Sequence, residues 1–392
     1  MKSPKIRFKG FDGDWEQRKF CDFIWDAGKR NKENLNLVPY AITNEHGFIP
    51  QSEAHDEFGY MKDTDRRAYN IVEPNSFAYN PARINVGSLG YYEGTENVIV
   101  SSLYEVFKTA EYVDDRFLWH WLKSPELPKW IGKLQEGSVR LYFYYDKLCE
   151  CVLQMPSVEE QRKISKYLDS LDHLITLHQK KFEQLTILKK YMLQKMFPQN
   201  GSDKPEIRFE GFTDDWEQRK FSEIASREST AQESSRYFPS VEYEDVITEA
   251  GRLNKDVNQK EVVKKGIVFD GSQVLYGKLR PYLHNWLNPD FSGVAVGDWW
   301  VLKPIDTDKS FLYRLVQTQQ FDDVANQSAG SKMPRADWNF VSNSEFAVPV
   351  SQDEQTMIGE YFSSLDTLIT LHQQKCDELR NAKKFMLQNM FI

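Results

Sequence analysis

The sequence predicts a mixed α/β protein of two homologous globular domains, separated and braced by two long, antiparallel coiled-coil helices. A duplicated motif opens each half of the 392-residue chain, and a duplicated helical segment closes each half. The stretches between them differ, and in both of them short strand-type and helix-type pieces alternate. These observations indicate an internal repeat with a pseudo-twofold relation between the halves.

The opening motif is nearly identical in its two copies. It is "IRFKGFDGDWEQRKF" over residues 6–20 and "IRFEGFTDDWEQRKF" over residues 207–221. Each copy holds one tryptophan, Trp15 or Trp216. Because a large aromatic ring is suited to filling a joint between packed elements, we expect both tryptophans to dock where a domain meets a helix or a partner.

The closing segments, residues 160–197 and 354–391, have the pattern of long helices. Both contain "LITLHQ" and end in "MLQ-x-MF", and apolar residues recur at alternating spacings of four and three. Such a heptad seam predicts that the two helices, each a rod of about 57 Å, pack on each other; the alternative is that each packs only on its own domain. The predicted seam residues are Ile164, Leu168, Leu171, Ile175, Phe182, Leu185, Met192, Ile358, Leu365, Ile369, Leu379 and Met386.

Four polar residues also fall on this seam. His178 and Lys189 are expected to face their counterparts His372 and Lys383, since polar seam residues can fix register and orientation. A packed or solvent-linked histidine pair is the interpretation that we adopt, and no metal site is predicted.

Prolines and a polar linker divide the chain into five parts. Pro156 and Pro349 precede the helices, Pro198 follows the first, and "QNGSDKPE" joins the halves. The predicted parts are a first domain over residues 1–155, a central helix over 156–197, a linker over 198–206, a second domain over 207–348 and a C-terminal helix over 349–392.

Composition is that of a globular protein, with 40% hydrophobic and 28% charged residues. No apolar run is long enough to cross a membrane, and no signal peptide is recognisable. We therefore expect a cytoplasmic location and no membrane partner. The net charge of −8 counts against a general nucleic-acid coat but allows a local DNA-binding surface.

Known catalytic constellations are missing from the sequence. "GSQVLYGKL" differs from a P-loop in its spacing and in the residue after the lysine. The protease and hydrolase motifs are absent, and the four cysteines and seven histidines have no zinc spacing. Neither "NPAR" nor "NPDF" has the second proline followed by an aromatic ring that marks an adenine methyltransferase active site. The chain is therefore predicted to be no enzyme and to hold no cofactor of its own.

Several loops combine cations with aromatic residues in a way that favours DNA contact. "YGKLRPYL" and the aligned "AYNPARINV" carry some of them, and the "GSVR" and "GSKMPR" stretches carry the others. Arginine can pair bidentately with guanine, while lysine holds phosphate. The predicted DNA-binding residues are Tyr79, Arg83, Arg140, Tyr276, Lys278, Arg280, Lys332 and Arg335.

The order of these motifs resembles the specificity subunit of type I restriction–modification enzymes. The resemblance lies in the duplicated "GF-x-x-DWEQRKF", in "GKLRPYL" and "GS-x-MPRADW", and in the "P-x-x-x-EQ" stretch that begins each helix. It covers essentially the whole chain. The first half departs from it, because "GSVRLYFYY" stands where the second half has "GSKMPRADW".

The resemblance implies two target recognition domains, each of which reads one half of a split double-stranded DNA sequence. It implies that the paired helices set the gap and dock two modification (methyltransferase) subunits, which carry S-adenosylmethionine and methylate adenine N6. Restriction subunits would add ATP- and Mg-dependent cleavage of unmodified DNA in host defence. The alternative from the residues alone is an adaptor that binds proteins through two domains on a coiled-coil strut.

Overall fold

The structure is a computed structural model that describes residues 3–44, 47–54, 65–137, 141–199, 202–327 and 333–392. The chain divides into two compact units. Unit 1 comprises the chain up to Leu177 together with Lys375–Ile392, and unit 2 comprises His178–Gln374. Each unit therefore contains one recognition domain and a part of each long helix.

Unit 1 contains eleven strands among its described residues. They form a four-stranded sheet in the order β2-β10-β7-β8, a three-stranded sheet β3-β6-β9, and the pairs β1-β11 and β4-β5. The strands are β1 Glu16–Lys19, β2 Ile24–Asp26, β3 Lys29–Arg30, β4 Tyr40–Thr43, β5 Gly47–Pro50, β6 Asn70–Val72, β7 Ser76–Tyr79, β8 Leu89–Tyr92, β9 Val98–Val100, β10 Glu105–Thr109 and β11 Val152–Met155.

Four short helices complete the recognition domain of unit 1. The Asp114 carboxylate caps the first turn of α2, since it accepts from the Phe117 N–H at 2.8 Å. The apolar face of α2 and α3 packs into a core rich in phenylalanine and tryptophan. The helices are α1 Gln51–Ala54, α2 Asp115–Leu122, α3 Glu126–Leu134 and α4 Tyr145–Glu150.

The first long helix, α5, spans Val158–Lys195. It begins two residues after Pro156, and its first turn is closed by the Ser157 hydroxyl, which accepts from the Glu160 N–H at 3.3 Å. The residues up to Leu177 belong to unit 1 and the rest to unit 2.

Unit 2 repeats the plan with different sheets. Four-stranded sheets run in the orders β13-β22-β19-β20 and β14-β18-β21-β15, beside the pairs β12-β23 and β16-β17. The strands are β12 Glu217–Lys220, β13 Ala225–Arg227, β14 Ala231–Glu233, β15 Ser240–Val241, β16 Val246–Ile247, β17 Arg252–Leu253, β18 Lys265–Phe269, β19 Val274–Gly277, β20 Trp286–Leu287, β21 Gly293–Ala295, β22 Trp299–Pro304 and β23 Glu345–Val348.

The "DKSFLYRLVQTQQFDDVANQ" stretch forms two helices. The Thr318 side chain accepts from the Phe321 N–H and so starts a new helix, because threonine favours caps over helix interiors. The helices of unit 2 are α6 Phe221–Ile224, α7 Lys309–Leu315, α8 Gln319–Asn326 and α9 Trp338–Asn343, and the second long helix, α10, spans Gln352–Asn389.

Each opening motif contains a strand near its end, and the two strands pair with equivalent strands of their own units. β1 pairs antiparallel with β11, and β12 pairs antiparallel with β23. Since β11 and β23 immediately precede the long helices, the duplicated sequence ties the start of each recognition domain to its end. No helix in the described part of the chain is both long and apolar enough to span a membrane.

Candidate nucleic-acid interface

Two loops of unit 2 are joined by their backbones into one surface. They are the "GKLRPYL" loop after β19 and the "MPRADW" loop before α9. The Arg280 N–H donates to the Pro334 carbonyl at 2.7 Å, and the Ala336 N–H donates to the Lys278 carbonyl at 2.9 Å. Arg335 forms an isolated β-bridge with the first loop. The structure thus brings together three predicted cations that are distant in sequence, Lys278, Arg280 and Arg335.

The carboxylate of Asp298 connects the same loops through their side chains. It accepts from Arg335 Nε at 3.1 Å and from Nη2 at 3.0 Å, while Lys278 Nζ lies 3.6 Å away. The hydrogen bond from Arg335 holds the pKa of Asp298 below its ordinary value, so the carboxylate is ionised. Sequence analysis missed Asp298, because nothing in "VAVGDWW" marks it as a partner of a distant arginine.

The backbone of the first loop is strained at Arg280. Its φ of 49° and ψ of 67° are left-handed, a conformation that costs a residue with a side chain roughly 1–2 kcal/mol. Arg280 Nε is buried and has no hydrogen-bond partner among the described residues, whereas the neighbouring Tyr282 ring is 52% exposed. Strained backbone beside an exposed aromatic ring is typical of a binding loop.

The two predicted DNA-contacting tyrosines require correction. Tyr79 is 0% exposed and Tyr276 is 2% exposed, so neither side chain is accessible to DNA in this structure. They lie on β7 and β19, inner strands whose four residues are all buried. When both faces of a strand are covered, the side chains on both faces lie in the core.

The corresponding loop of unit 1 retains an exposed arginine. Arg83 follows β7, and its carbonyl accepts from the Val86 and Ser88 N–H groups, which fixes the turn. Arg140 and Lys332, the remaining two predicted contacts, lie outside the described residues.

The tryptophans of the opening motifs converge on the start of the long helices. Trp15 is buried, and its indole N–H donates to Glu160 at 3.2 Å. Arg7 holds the same carboxylate with two hydrogen bonds of 2.7 and 2.8 Å. Because Glu160 is only 1% exposed, its charge depends on these partners.

Unit 2 repeats this junction. Arg208 donates to Glu354 at 2.6 and 2.8 Å, and the Trp216 indole donates to it at 3.3 Å. We call the two sets, Arg7–Trp15–Glu160 and Arg208–Trp216–Glu354, the junction triads. The sequence analysis named the tryptophans but not their partners, although the identical "IRF" and "EQ" of both copies carried the signal.

The glutamine after each junction glutamate adds a second link. Gln161 accepts from the Asp114 N–H at 2.8 Å and donates to the Pro156 carbonyl at 3.0 Å. Gln355 makes the equivalent bonds to Asp308 and Pro349 at 2.8 and 2.9 Å. Each "EQ" therefore joins the opening motif, the domain helix and the long helix.

The predicted seam residues pack within each unit. Leu379 and Met386 of α10 pack on the core that contains Ile164, Leu168 and Leu171 of α5. In unit 2, Met192 and Ile369 pack on the core that holds Leu185, Ile358 and Leu365. Ile175 and Phe182 are half-buried.

Within each unit the two helices run antiparallel, and their polar contacts set the register. His178 and His372 approach to 2.9 Å between Nδ1 atoms, so one ring donates and the other accepts. The predicted pairing of Lys189 with Lys383 is wrong. Lys189 pairs with Asp366 at 2.7 Å and Lys383 pairs with Asp172 at 2.5 Å, because antiparallel packing brings each lysine to the aspartate that precedes the other "LITLHQ".

A buried basic residue links a domain helix to an aspartate of a long helix in each unit. In unit 2 Arg314, which is 2% exposed, donates to Asp366 at 2.6 Å. In unit 1 the equivalent position is His120, whose Nε2 lies 2.8 Å from Asp169.

One atom of each of His120, Asp169 and Asp172 lies within 4.8 Å of the others, as in a metal site. Arg116 and Lys383 already neutralise the two carboxylates at 2.5 Å, and Arg314 at the equivalent place could not ligate a metal. The group therefore fits a structural ion-pair cluster.

His120 is expected to make the stability of unit 1 sensitive to acid, an effect that Arg314 at the equivalent position of unit 2 would not have. Burial lowers the pKa of His120, so the unfolded chain takes up a proton more readily than the folded one. The stability of unit 1 is then expected to fall as the pH drops through about 6.5, the ordinary histidine value. In the unaltered chain, the melting temperature of unit 1 should fall between pH 7 and 5. In His120→Gln this dependence of the melting temperature on pH should be lost. A slope equal to that of the unaltered chain would contradict the assignment; His284→Gln is the control.

Two leucines in each copy of "LITLHQ" point away from the seam. Leu174 and Leu177 are 39% and 55% exposed, and their counterparts Leu368 and Leu371 are 43% and 56% exposed. Apolar side chains are thus exposed at the same place in both copies, and repeated exposed apolar surface can mark an interaction site. We call each pair a leucine patch: Leu174 with Leu177 in unit 1, and Leu368 with Leu371 in unit 2.

The sequence matches the family described as "Type I restriction modification DNA specificity domain" twice, over residues 44–186 and 213–381. A similar protein is the type I restriction enzyme MjaVIII specificity subunit of Methanocaldococcus jannaschii, 22% identical over 95% of this chain and 90% of that protein. The putative MjaX specificity subunit of the same organism is 24% identical over 47% of this chain and 45% of its own.

Solved structures show the same fold. The S subunit of a type I restriction–modification system from M. genitalium superposes with a TM-score of 0.63 at 13% identity, covering 100% of this chain and 99% of that one. A second solved chain comes from a structure that addresses complex assembly and conformational transition of the type I R-M system. It superposes with a TM-score of 0.51 at 14% identity, covering 97% of this chain and 98% of that one.

Proposed function

The chain belongs to the type I restriction–modification DNA specificity family, and on this premise we propose that each unit reads one half of a split duplex target. Chains of this family supply DNA target recognition and no catalysis of their own. The observation that carries the proposal is the contrast between the duplicated and the diverged parts. Both units keep the same junction triad, whereas the loops with Arg83 and with Lys278, Arg280 and Arg335 differ.

The two joined basic loops of unit 2 can contact DNA in two complementary ways. Lysine and backbone N–H groups hold phosphate and place the protein on the duplex, while arginine reads the edge of a guanine in the major groove. The net charge of −8 keeps the general attraction to DNA weak. We therefore expect tight binding only when partner subunits add their own phosphate contacts.

The two leucine patches, one in each unit, are the proposed docking surfaces for two copies of one methyltransferase subunit. Leu174, Leu177, Leu368 and Leu371 belong to an identical hexapeptide, and an identical sequence in both halves can meet identical partners. Buried leucines at the centre of an interface supply binding energy through the water that they displace.

These partners complete the proposed complex. The methyltransferase subunits would hold S-adenosylmethionine and methylate adenine N6, and restriction subunits would use ATP and Mg to act on unmodified DNA. The two long helices would set the gap between the half-sites. The adaptor alternative is not favoured, because the family is defined by DNA specificity.

The docking proposal predicts the composition of the assembly. Leu177→Asp with Leu371→Asp should weaken binding of the methyltransferase subunit by about 10- to 100-fold, as expected for charged replacements in an interface core. Native mass spectrometry of the co-expressed proteins would then show fewer than two copies. Gln184→Asp, an added charge at an exposed position of α5, is the control. Two copies retained by the double variant would refute the docking surface.

The DNA-reading proposal is tested by selecting bound duplexes from a random library with the assembled complex. The unaltered chain should select two short motifs separated by a fixed gap. Arg83→Ala should relax one motif and Arg335→Ala the other, each by about 5- to 150-fold at the base concerned. Both variants relaxing the same motif would show that the units do not divide the target.

A further inference from the structure

The joined loops that form the candidate interface of unit 2 have a counterpart in unit 1. In unit 2 the Ala336 N–H donates to the Lys278 carbonyl at 2.9 Å, and in unit 1 the Phe143 N–H donates to the Pro81 carbonyl at 3.0 Å. Pro81 and Lys278 each lie two residues after the tyrosine that ends the aligned part of β7 or β19. The same backbone bond therefore joins equivalent loops in both units.

The middle residue of the second loop is buried in both units. Phe143 is 0% exposed and Ala336 is 6% exposed. Because side chains alternate along an extended segment, the neighbours of Phe143 lie toward the surface. They are Tyr142, which is half-buried, and Tyr144, which is exposed. Unit 2 has an arginine and an aspartate at these two places, so the equivalent loops present different chemistry.

Tyr142 and Tyr144 form a stacked pair. Their ring centroids lie 5.4 Å apart, and the ring planes differ by 2°. The Tyr142 N–H donates to the Glu136 carbonyl at 2.7 Å, and the Tyr144 carbonyl accepts from the Lys147 N–H at 3.0 Å, so the backbone holds both rings in place. Since each ring presents one face to the other, neither can enter between two bases unless the pair separates.

Tyr144 stands at a position where a different residue would stabilise the fold better. It is the N-cap of α4, and its side chain makes no capping hydrogen bond. At the equivalent position of unit 2, the Asp337 side chain caps α9 by accepting from the Asn339 and Phe340 N–H groups. Aspartate and serine are preferred at such positions because their oxygens satisfy these N–H groups. An exposed ring in place of a cap indicates a role at the surface.

The same loops of unit 1 expose further apolar side chains. Val86, on the loop after β7, is 54% exposed, and Leu141, beside the tyrosine pair, is 41% exposed. In the major groove, the apolar group that base pairs present is the 5-methyl of thymine. An exposed ring with aliphatic neighbours fits this methyl group, because their contact displaces water from both surfaces.

We propose that the tyrosine pair determines the specificity of unit 1, and that Tyr144 lies against the 5-methyl group of a thymine in the half-site that this unit reads. The inference rests on the proposed DNA-reading function and names a base within it. The two units would then read DNA by different chemistry, unit 1 through apolar contact and unit 2 through charged and hydrogen-bonding groups. This difference gives a reason for the divergence of the equivalent loops.

The test compares thymine with uracil, which lacks only the 5-methyl group. The half-site of unit 1 is the half that persists when residues 222–348 are replaced. Duplexes with uracil at each thymine of this half-site are bound to the assembled complex of the chain and its methyltransferase subunit. At one position uracil should weaken binding by about 4-fold, as expected for one buried methyl group. The Tyr144→Ser complex should bind the thymine and uracil duplexes equally.

Two further variants separate the contact from a general structural effect. Serine can cap α4, so the melting temperature of Tyr144→Ser should not fall below that of the unaltered chain. Tyr144→Phe retains the ring and should retain the preference for thymine. Tyr237→Ser, at a position of unit 2 that is 84% exposed, is the matched control and should leave the preference unchanged.

The outcomes are distinguishable. Absence of any split motif for the unaltered chain would refute the proposed function itself. A split motif whose unit 1 half binds uracil and thymine equally at every position would overturn the inference alone. If Tyr144→Ser weakened binding to the thymine and uracil duplexes by the same factor, Tyr144 would be a contact to the sugar-phosphate backbone, and the inference would again be overturned.

Discussion

Replacement of Glu160 by alanine is expected to destabilise unit 1 by about 3–5 kcal/mol, the usual cost of breaking a buried ion pair. The side chain is 1% exposed and accepts from Arg7 and Trp15. Its loss leaves a guanidinium that is 15% exposed without its carboxylate and a buried indole N–H without an acceptor. Denaturant unfolding measures the change.

The neighbouring residue Glu159 supplies the matched control. Glu159 precedes Glu160 on the same turn of α5 and is exposed, so Glu159→Ala should change the free energy of unfolding by less than about 0.5 kcal/mol. Glu354→Ala and Asp353→Ala form the same pair in unit 2. Equal effects of Glu160→Ala and Glu159→Ala would refute the structural role of the junction triads.

A carboxylate in the seam is expected to have a comparable effect. Leu365 of α10 is 6% exposed in the core of unit 2. Leu365→Asp should lower the free energy of unfolding by about 3–5 kcal/mol, since it removes a core leucine and buries an unpaired polar group. Leu171→Asp should do the same in unit 1.

One turn along α10, Leu368 is 43% exposed, and this makes Leu368→Asp an informative control. It adds the same charge to the same helix but should leave the free energy of unfolding nearly unchanged and weaken only the proposed docking of a methyltransferase subunit. If Leu365→Asp and Leu368→Asp destabilise the chain equally, the seam has been assigned to the wrong face of the helix.

Local patterns in the sequence were sufficient to predict the two long helices and where they begin. Spacings of four and three predicted a seam, and prolines marked the helix starts close to Val158 and Gln352. The pairing of Lys189 and Lys383 was predicted wrongly because a heptad gives the face of a residue but not its partner. That partner depends on the register of antiparallel packing, which the ion pairs with Asp366 and Asp172 display.

The candidate interface was predicted less completely, because its contacts are distant in sequence. "GKLRPYL" and "MPRADW" each suggested a basic loop, yet their backbone pairing and the central place of Asp298 arise only from the sheet. Tyr79 and Tyr276 were assigned to the DNA-binding surface because they stand close to arginines in the same loops. Both stand on strands covered on two faces, a property that the sheet order decides and a single strand does not reveal.

The duplicated motifs acquire a physical explanation in the junction triads. Each buried glutamate needs an arginine and a tryptophan that lie more than a hundred residues before it in the sequence, so all three must be kept for the carboxylate to be buried without a large cost. The loops between them are free of this requirement and can diverge. The junction triads are therefore the same in both units, whereas the loops proposed to contact DNA differ.

The most direct test of this account is a genome-wide map of N6-methyladenine in cells that express the chain with its cognate methyltransferase subunit. We predict methylation at a split motif with a fixed gap, and we predict that replacing residues 222–348 by those of another member of the family changes one half of the motif and leaves the other half intact. Methylation that is unchanged by the replacement, although the methyltransferase is active, would contradict the claim that each unit reads one half-site.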